Sequence, residues 1–276
     1  MTTSRIAFIG GGNMATSLIA GLVADGYDPA AMRVSDPSAE RRDLLKARYG
    51  VQTVASNLDA LAEVETLVLC VKPQLAAVVC LEIATEVARR APLVISIMAG
   101  VPERSIQRWL GAPLPVVRAM PNTPAMVQTG AIGLHASAEV TEEARNRAES
   151  ILRSVGLTRW VATEGLIDAV TALSGSGPAY FFLFMEALEE AGIELGLDAE
   201  TARLLTIQTA LGAAKMAVES DDPPGRLRER VTSPGGTTER ALAHLLESDL
   251  HALVKRAVRA AHDRAVELSN SLSEPA

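Results

Sequence analysis

The chain has 276 residues, room for one large domain or two ordinary ones. Hydrophobic residues make up 48% and aromatics only 3%, so a core is available and disorder is not the default expectation. The net charge is −7 with no basic block, which argues against nucleic acid and against an anionic membrane as partners.

The opening stretch, MTTSRIAFIGGGNMA, lacks the basic start, apolar run and cleavage site of a signal peptide, so none is expected. No apolar stretch reaches about 18 residues without a charge or a breaker, so no membrane span is expected either. Residues 5–10 (RIAFIG) read as a strand closed by glycines, and residues 13–25 as a helix with apolar spacing at Met14, Leu18, Ile19, Leu22 and Val23. MRVSD (32–36) is a second strand, and AERRDLLKARYG (39–50) a helix ended by Gly50. TLVLCV (66–71) is apolar throughout, as a strand covered on both faces would be. PLVISIM (92–98), PVVRAM (115–120) and GAIGLHA (130–136) follow with helical segments between them. Strands alternating with helices predict βαβ units, an α/β fold with a doubly wound parallel sheet of Rossmann type over residues 1–163. Cys70 and Cys80 lie in apolar surroundings at no metal-ligand spacing. Free buried thiols fit a reducing cytosol, hence a cytoplasmic protein.

IGGGNMA sits between the first strand and the first helix. Gly10, Gly12 and Ala15 match G-x-G-x-x-G/A: one glycine for the tight turn, one for close approach of a pyrophosphate, a small third residue for helix–strand packing. The helix N-terminus then offers N–H groups to the phosphates. Ile9, Gly10, Gly11, Gly12, Asn13 and Met14 are the candidate cofactor loop. The second strand ends at Ser35-Asp36-Pro37. An acid there takes the ribose 2′-OH of NAD, whereas a nearby arginine, Arg41 or Arg42, accepts the 2′-phosphate of NADP. Both readings stay open.

From about Glu164 the strand signals stop. Long segments of helical periodicity follow, with Asp198 and Ser248 or Asp249 as N-caps, so residues 164–276 read as an all-α domain. Its Ala/Leu-rich helices are expected to bury a face against a second copy. Two breaks interrupt it, LSGSGPAY (173–180) and RVTSPGGTTER (230–240). In the second, Pro234 and two glycines stop a helix. Ser233 adds a hydroxyl, and bare N–H groups at Gly236, Thr237 and Thr238 open the next helix, an arrangement that favours an anion. The four histidines form no ligand pattern, so no metal is expected. Lys215 lies in a G-x-x-K spacing, GAAK, known from β-hydroxyacid dehydrogenases, but Glu219 stands where their asparagine is expected.

Nearly the whole chain resembles the pyrroline-5-carboxylate reductase family. The resemblance rests on FIGGGNMA, CVKPQ (70–74), MPNTPAMVQTGAIG (120–133), IDAVTALSGSGPAYFF (167–182) and LRERVTSPGGTTERALAHL (227–245). It implies a Rossmann domain joined to a helical dimerisation domain, with dimers assembled into larger rings such as a decamer. It implies reduction of 1-pyrroline-5-carboxylate to L-proline with NADPH, NADH being possible. By the same resemblance Asn57, Val71, Lys72, Pro73 and Ala99 join Ser35 and Asp36 around the cofactor. Glu164, Ser176 and Asp221 lie near the substrate. Ser233, Gly235, Gly236, Thr237 and Thr238 hold its carboxylate, and the Thr238 hydroxyl reaches the ring nitrogen as the catalytic contact. Arg230 stands where some relatives carry a cofactor-contacting asparagine.

Overall fold

The first strand, β1 (Ile6–Ile9), is buried at all four positions because both of its faces are covered. A computed structural model describes residues 4–273 of the chain. After β1 come α1 (Asn13–Ala24), β2 (Met32–Ser35), α2 (Ala39–Tyr49), β3 (Gln52–Val54), α3 (Asn57–Ala60), β4 (Thr66–Leu69), α4 (Ala76–Arg90), β5 (Leu93–Ser96), α5 (Glu103–Leu110), β6 (Val116–Met120), β7 (Gly130–Ala136), α6 (Glu142–Arg153), β8 (Gly156–Trp160) and α7 (Leu166–Val170). One sheet holds all eight strands in the order β3-β2-β1-β4-β5-β6-β7-β8. Side chains alternate across it. Ile6 and Phe8 join an apolar cluster with Leu18 and Ile19 of α1 and Ile151 of α6, while Ala7 and Ile9 join another with Val79 and Ile83 of α4 and Ile106 of α5.

The doubly wound α/β fold is the expected one, with two differences. β7 runs antiparallel to β6, whereas every other pairing is parallel. β3 and β8 were not expected from the sequence. β3 has only three residues, none buried, and in β8 (GLTRW) Thr158 alone is buried, so neither carries the apolar signature of the inner strands.

Contacts divide the chain into two compact units: the described residues up to Ser176 together with those from Ala261 on, and Gly177–Ala260. α7 and the turn after it therefore count with the sheet. The second unit holds α8 (Gly177–Glu194), α9 (Ala199–Glu219), α10 (Pro224–Arg230), α11 (Thr237–Glu247) and the start of α12 (Leu250–Ser273). Asp198 caps α9 as expected, accepting the Thr201 N–H at 2.9 Å. α8 and α9 pack closely, a Cβ on Gly192 falling 3.3 Å from that of Ala202. Within 177–260 only Gly177 and Ala202 are buried, and Phe181, Phe182 and Leu183 are exposed. Apolar helices left this open signify a surface that another body covers.

LSGSGPAY does not break the chain into two helices, as its glycines and proline predicted. Residues Thr171–Gly175 form a π-helical turn, and the helical run continues from Leu166 to Glu194. That continuity also alters the expectation of no membrane span: this run of 29 residues is long and apolar enough to cross a membrane by length and composition.

Candidate functional site

The carboxyl ends of β1, β2, β4 and β5 share one edge of the sheet, and the strand order changes direction between β1 and β4. Ligands bind such sheets at that crevice. Every cofactor candidate lies along this edge. Gly10 closes β1 with φ +97°, and a Cβ there would sit 2.8 Å from the Cys70 carbonyl oxygen, so only glycine fits. Its N–H donates to the Ser35 carbonyl at 2.9 Å, and the Cys70 N–H donates to Ile9. Gly11 packs against Leu45, its imaginary Cβ 2.9 Å from Cδ1. Gly12, by contrast, opens on empty space: a Cβ would meet nothing within 4 Å. It is also the N-cap of α1, and no side chain caps that helix. A bare helix N-terminus beneath an open cradle fits a dinucleotide pyrophosphate. Asn13 and Met14 open α1. Val71, the exposed Lys72 and Pro73 follow β4, and the half-buried Ala99 follows β5.

The end of β2 separates the two arginines left open above. Asp36 is 4% exposed; its Oδ2 accepts the Gly11 N–H and its Oδ1 the Ser38 N–H, both at 2.9 Å. Arg42 donates to the Asp36 and Pro37 carbonyls at 2.7 and 2.9 Å, so its guanidinium is committed to the turn. Arg41 stays more than half exposed with its Nη1 3.6 Å from Asp36 Oδ2. Ser35 Oγ donates to Asn57 Oδ1 at 2.7 Å, and Asn57 Nδ2 donates to Glu82 at 2.9 Å.

The substrate candidates fall in both units. Glu164 is engaged inside the first: its Oε1 accepts the Glu103 N–H and the buried Arg118 guanidinium, each at 2.7 Å. These contacts anchor the start of α5, and the Glu164 side chain keeps a quarter of its surface exposed. Beside it Glu103 Oε1 lies 3.2 Å from His135 Nδ1. Burial first and Glu164 second push the Glu103 carboxyl up to about 7, against Arg118, which pulls it down. Burial also lowers the basicity of His135. The sequence reading missed this cluster; polar residues at alternate inward positions of β6 and β7, Arg118 and His135, were its only signal. Ser176, half-buried, closes the π turn with its N–H donating to Thr171 at 2.8 Å.

In the second unit the 230–240 stretch forms a tight loop between α10 and α11. Gly235 has φ +72° and Gly236 is the N-cap of α11, with no side-chain cap. One expected feature needs correction. The Gly236 N–H is not bare; it donates to the Ser233 carbonyl at 3.0 Å. The Gly235 N–H donates to Glu239 Oε2 at 2.7 Å, which brings a carboxylate into the first turn of α11. Thr237 and Thr238 open α11, and both are exposed together with Ser233. Asp221 is exposed, and the ion pair of its turn is made by the neighbouring Asp222 with Arg230 at 2.8 Å. Lys215 pairs with Glu219 at 3.8 Å on an exposed helix face, as a surface lysine does.

A doubly wound sheet with a glycine cradle at its switch point, followed by a helical region, defines an NAD(P)-dependent oxidoreductase. Residues 5–100 match the family described as NADP oxidoreductase coenzyme F420-dependent, and residues 164–268 the one described as Pyrroline-5-carboxylate reductase dimerisation. The chain is 50% identical to a pyrroline-5-carboxylate reductase of Pseudomonas aeruginosa over 99% of its own length and 100% of that protein's. It is similar to the structure of a pyrroline-5-carboxylate reductase from Coxiella burnetii, with a TM-score of 0.94, 48% identity and coverage of 97% and 99%. A pyrroline carboxylate reductase structure from Plasmodium falciparum with NADP bound gives a TM-score of 0.85 at 28% identity, with coverage of 98% and 99%. The chain belongs to the pyrroline-5-carboxylate reductase family.

Proposed function

We propose that this chain reduces 1-pyrroline-5-carboxylate to L-proline, the last step of proline biosynthesis, with NADPH as its preferred cofactor. The carrying observation is the open cradle at Gly12 over the uncapped start of α1, in a chain like a pyrroline-5-carboxylate reductase end to end. The nicotinamide cofactor, when bound, supplies a hydride to the C=N carbon. The protein has little covalent chemistry to do, because a protonated imine is already an electrophile. Holding two rings face to face is worth ~7–11 kcal/mol of barrier. Residues 10–14 hold the pyrophosphate; Ser35, Asn57, Val71, Lys72, Pro73 and Ala99 line the remaining length. Asp36 shapes the loop, and the exposed Arg41 beside it suits a 2′-phosphate, which supports NADPH over NADH. Ser233, Thr237 and Thr238 receive the substrate carboxylate at the start of α11, Gly235 bends the loop that presents them, Ser176 and Asp221 are further substrate contacts, and the Thr238 hydroxyl serves the ring nitrogen.

The functional boundary falls at 163/164, in keeping with the dimerisation match that begins at residue 164. The exposed apolar face of α8 and α9 meets a second copy and not a membrane, and larger rings such as a decamer grow from that dimer. The two free cysteines suit the cytoplasm. The test is oxidation of NADPH by the purified chain on addition of 1-pyrroline-5-carboxylate, with proline as product and light scattering on the same sample. Silence with that substrate overturns the activity, and a stable active monomer overturns the dimer.

A further inference from the structure

Pro178 has no N–H, so the Ser174 carbonyl cannot find its usual α-helical partner four residues on. The proline ring also crowds that carbonyl. The chain answers with the π turn Thr171–Gly175, closed by the Ser176 N–H on the Thr171 carbonyl. Turns of this kind insert one extra residue and often sit at functional sites. The Ser174 carbonyl is then supplied from elsewhere: Asn122 Nδ2 donates to it at 3.0 Å. The other end of the same amide, Oδ1, accepts the Ala131 N–H at 2.9 Å.

Asn122 is 8% exposed and lies just past the carboxyl end of β6, on the sheet edge that carries the glycine cradle. One side chain thus ties the end of β6, the start of β7 and the π turn. The fit there is close: a Cβ on Gly175 would fall 2.7 Å from Met120 Cε.

We propose that Asn122 is a positioning residue for the reduction. It holds the end of the π turn, Ser174 and Gly175, in place and so sets where the hydroxyl of the following Ser176 stands, without touching substrate or cofactor. This rests on the reading of Ser176 as a substrate contact.

The experiment compares Asn122→Asp, Asn122→Ala, Ser176→Ala and the Asn122→Ala/Ser176→Ala double variant. It reads kcat and KM for 1-pyrroline-5-carboxylate, the Kd of NADPH by fluorescence, and Tm. Asn122→Asp keeps the acceptor for Ala131 and turns an oxygen toward the Ser174 carbonyl. Each Asn122 variant should lose at least about tenfold in kcat/KM, as a displaced contact does, with the Kd of NADPH within about twofold. The double variant should be no worse than the poorer single one, since both act through one hydroxyl. Adding Pro178→Ala to Asn122→Ala returns an N–H to the Ser174 carbonyl. Tm should recover while kcat/KM stays low, which a purely structural role would not give. Parental kcat/KM in folded Asn122 variants, with Ser176→Ala impaired, overturns the proposal and leaves the substrate reading standing. Parental kcat/KM in Ser176→Ala removes the substrate reading and the proposal with it. Additive losses also overturn it.

Discussion

The Asp36 carboxylate accepts the Gly11 N–H at 2.9 Å, tying the end of β2 to the glycine loop after β1. Its other oxygen accepts the Ser38 N–H, so the acid is first a latch that shapes the cofactor loop. Arg41, exposed beside it, carries the charge that would meet a 2′-phosphate. The two residues should therefore separate by cofactor. Asp36→Ala should weaken NADPH and NADH alike, by about tenfold, because the loop itself loosens. Arg41→Ala should raise the Kd of NADPH about tenfold and leave that of NADH within about twofold. Fluorescence titration of both cofactors decides; equal losses in Arg41→Ala would remove the phosphate role.

Neighbouring glycines of the loop should fail in different ways. Gly10→Ala meets the Cys70 carbonyl at 2.8 Å and a backbone at φ +97°, a strain of about 1–3 kcal/mol that shows as a lower Tm. Gly12→Val fills open space, so Tm should hold within about 2 °C while NADPH binding is lost. Calorimetry and titration on the same two proteins check this. Retained NADPH affinity in Gly12→Val would mean the cradle holds no pyrophosphate.

The inner strands were legible because β1, β4 and β5 are apolar on both faces, and the cradle because its glycines fall between a strand and a helix. β3 and β8 were not, since a short edge strand with one wet face carries no such run. The π turn was hidden by its own letters: glycine and proline in LSGSGPAY signal a break, whereas the Ser176 N–H closes the turn on Thr171 and the Asn122 amide supplies the Ser174 carbonyl. Gly236 shows another limit. Composition predicted bare N–H groups, but which of them are free depends on loop geometry, and Ser233 and Glu239 take two.

The Glu103–His135 pair should give stability a pH dependence. Glu103 has its carboxyl raised from an ordinary 4.5 to about 7, so between those values the folded protein binds the extra proton. Stability from this group is present below about 4.5 and is lost as pH rises to about 7. His135 is shifted the other way, so its share is lost as pH falls below its ordinary 6.5. Glu103→Gln removes the first effect and keeps the second. Its Tm at pH 8 should gain on the parent, relative to both at pH 5.5, in calorimetric scans. An unchanged difference between the two proteins would show that Glu103 titrates normally.

The loop before α11 offers the sharpest division of labour. Thr238 brings a hydroxyl and an N–H; Gly235 brings a backbone bend at φ +72°, its N–H being taken by Glu239. Thr238→Ala removes the hydroxyl and keeps every backbone donor. If that hydroxyl serves the ring nitrogen in the transition state, kcat and kcat/KM should fall together. A hydrogen bond to a charged group is worth about 1.5–3 kcal/mol, so the loss should be about tenfold to a hundredfold and not total. Gly235→Ala is the complementary change. A Cβ there meets nothing within 4 Å, so the cost is backbone strain alone, about 1–2 kcal/mol. The strained loop should turn the Thr237 and Thr238 N–H groups away from the carboxylate. KM for 1-pyrroline-5-carboxylate should then rise several-fold with kcat nearly kept. Neither change touches the glycine cradle, so the Kd of NADPH should stay within about twofold. Steady-state kinetics against both substrates, with circular dichroism to certify the fold, separates the outcomes. A full kcat in Thr238→Ala would reduce that threonine to a helix-starting residue. Equal loss of NADPH binding in both variants would make the loop a cofactor element.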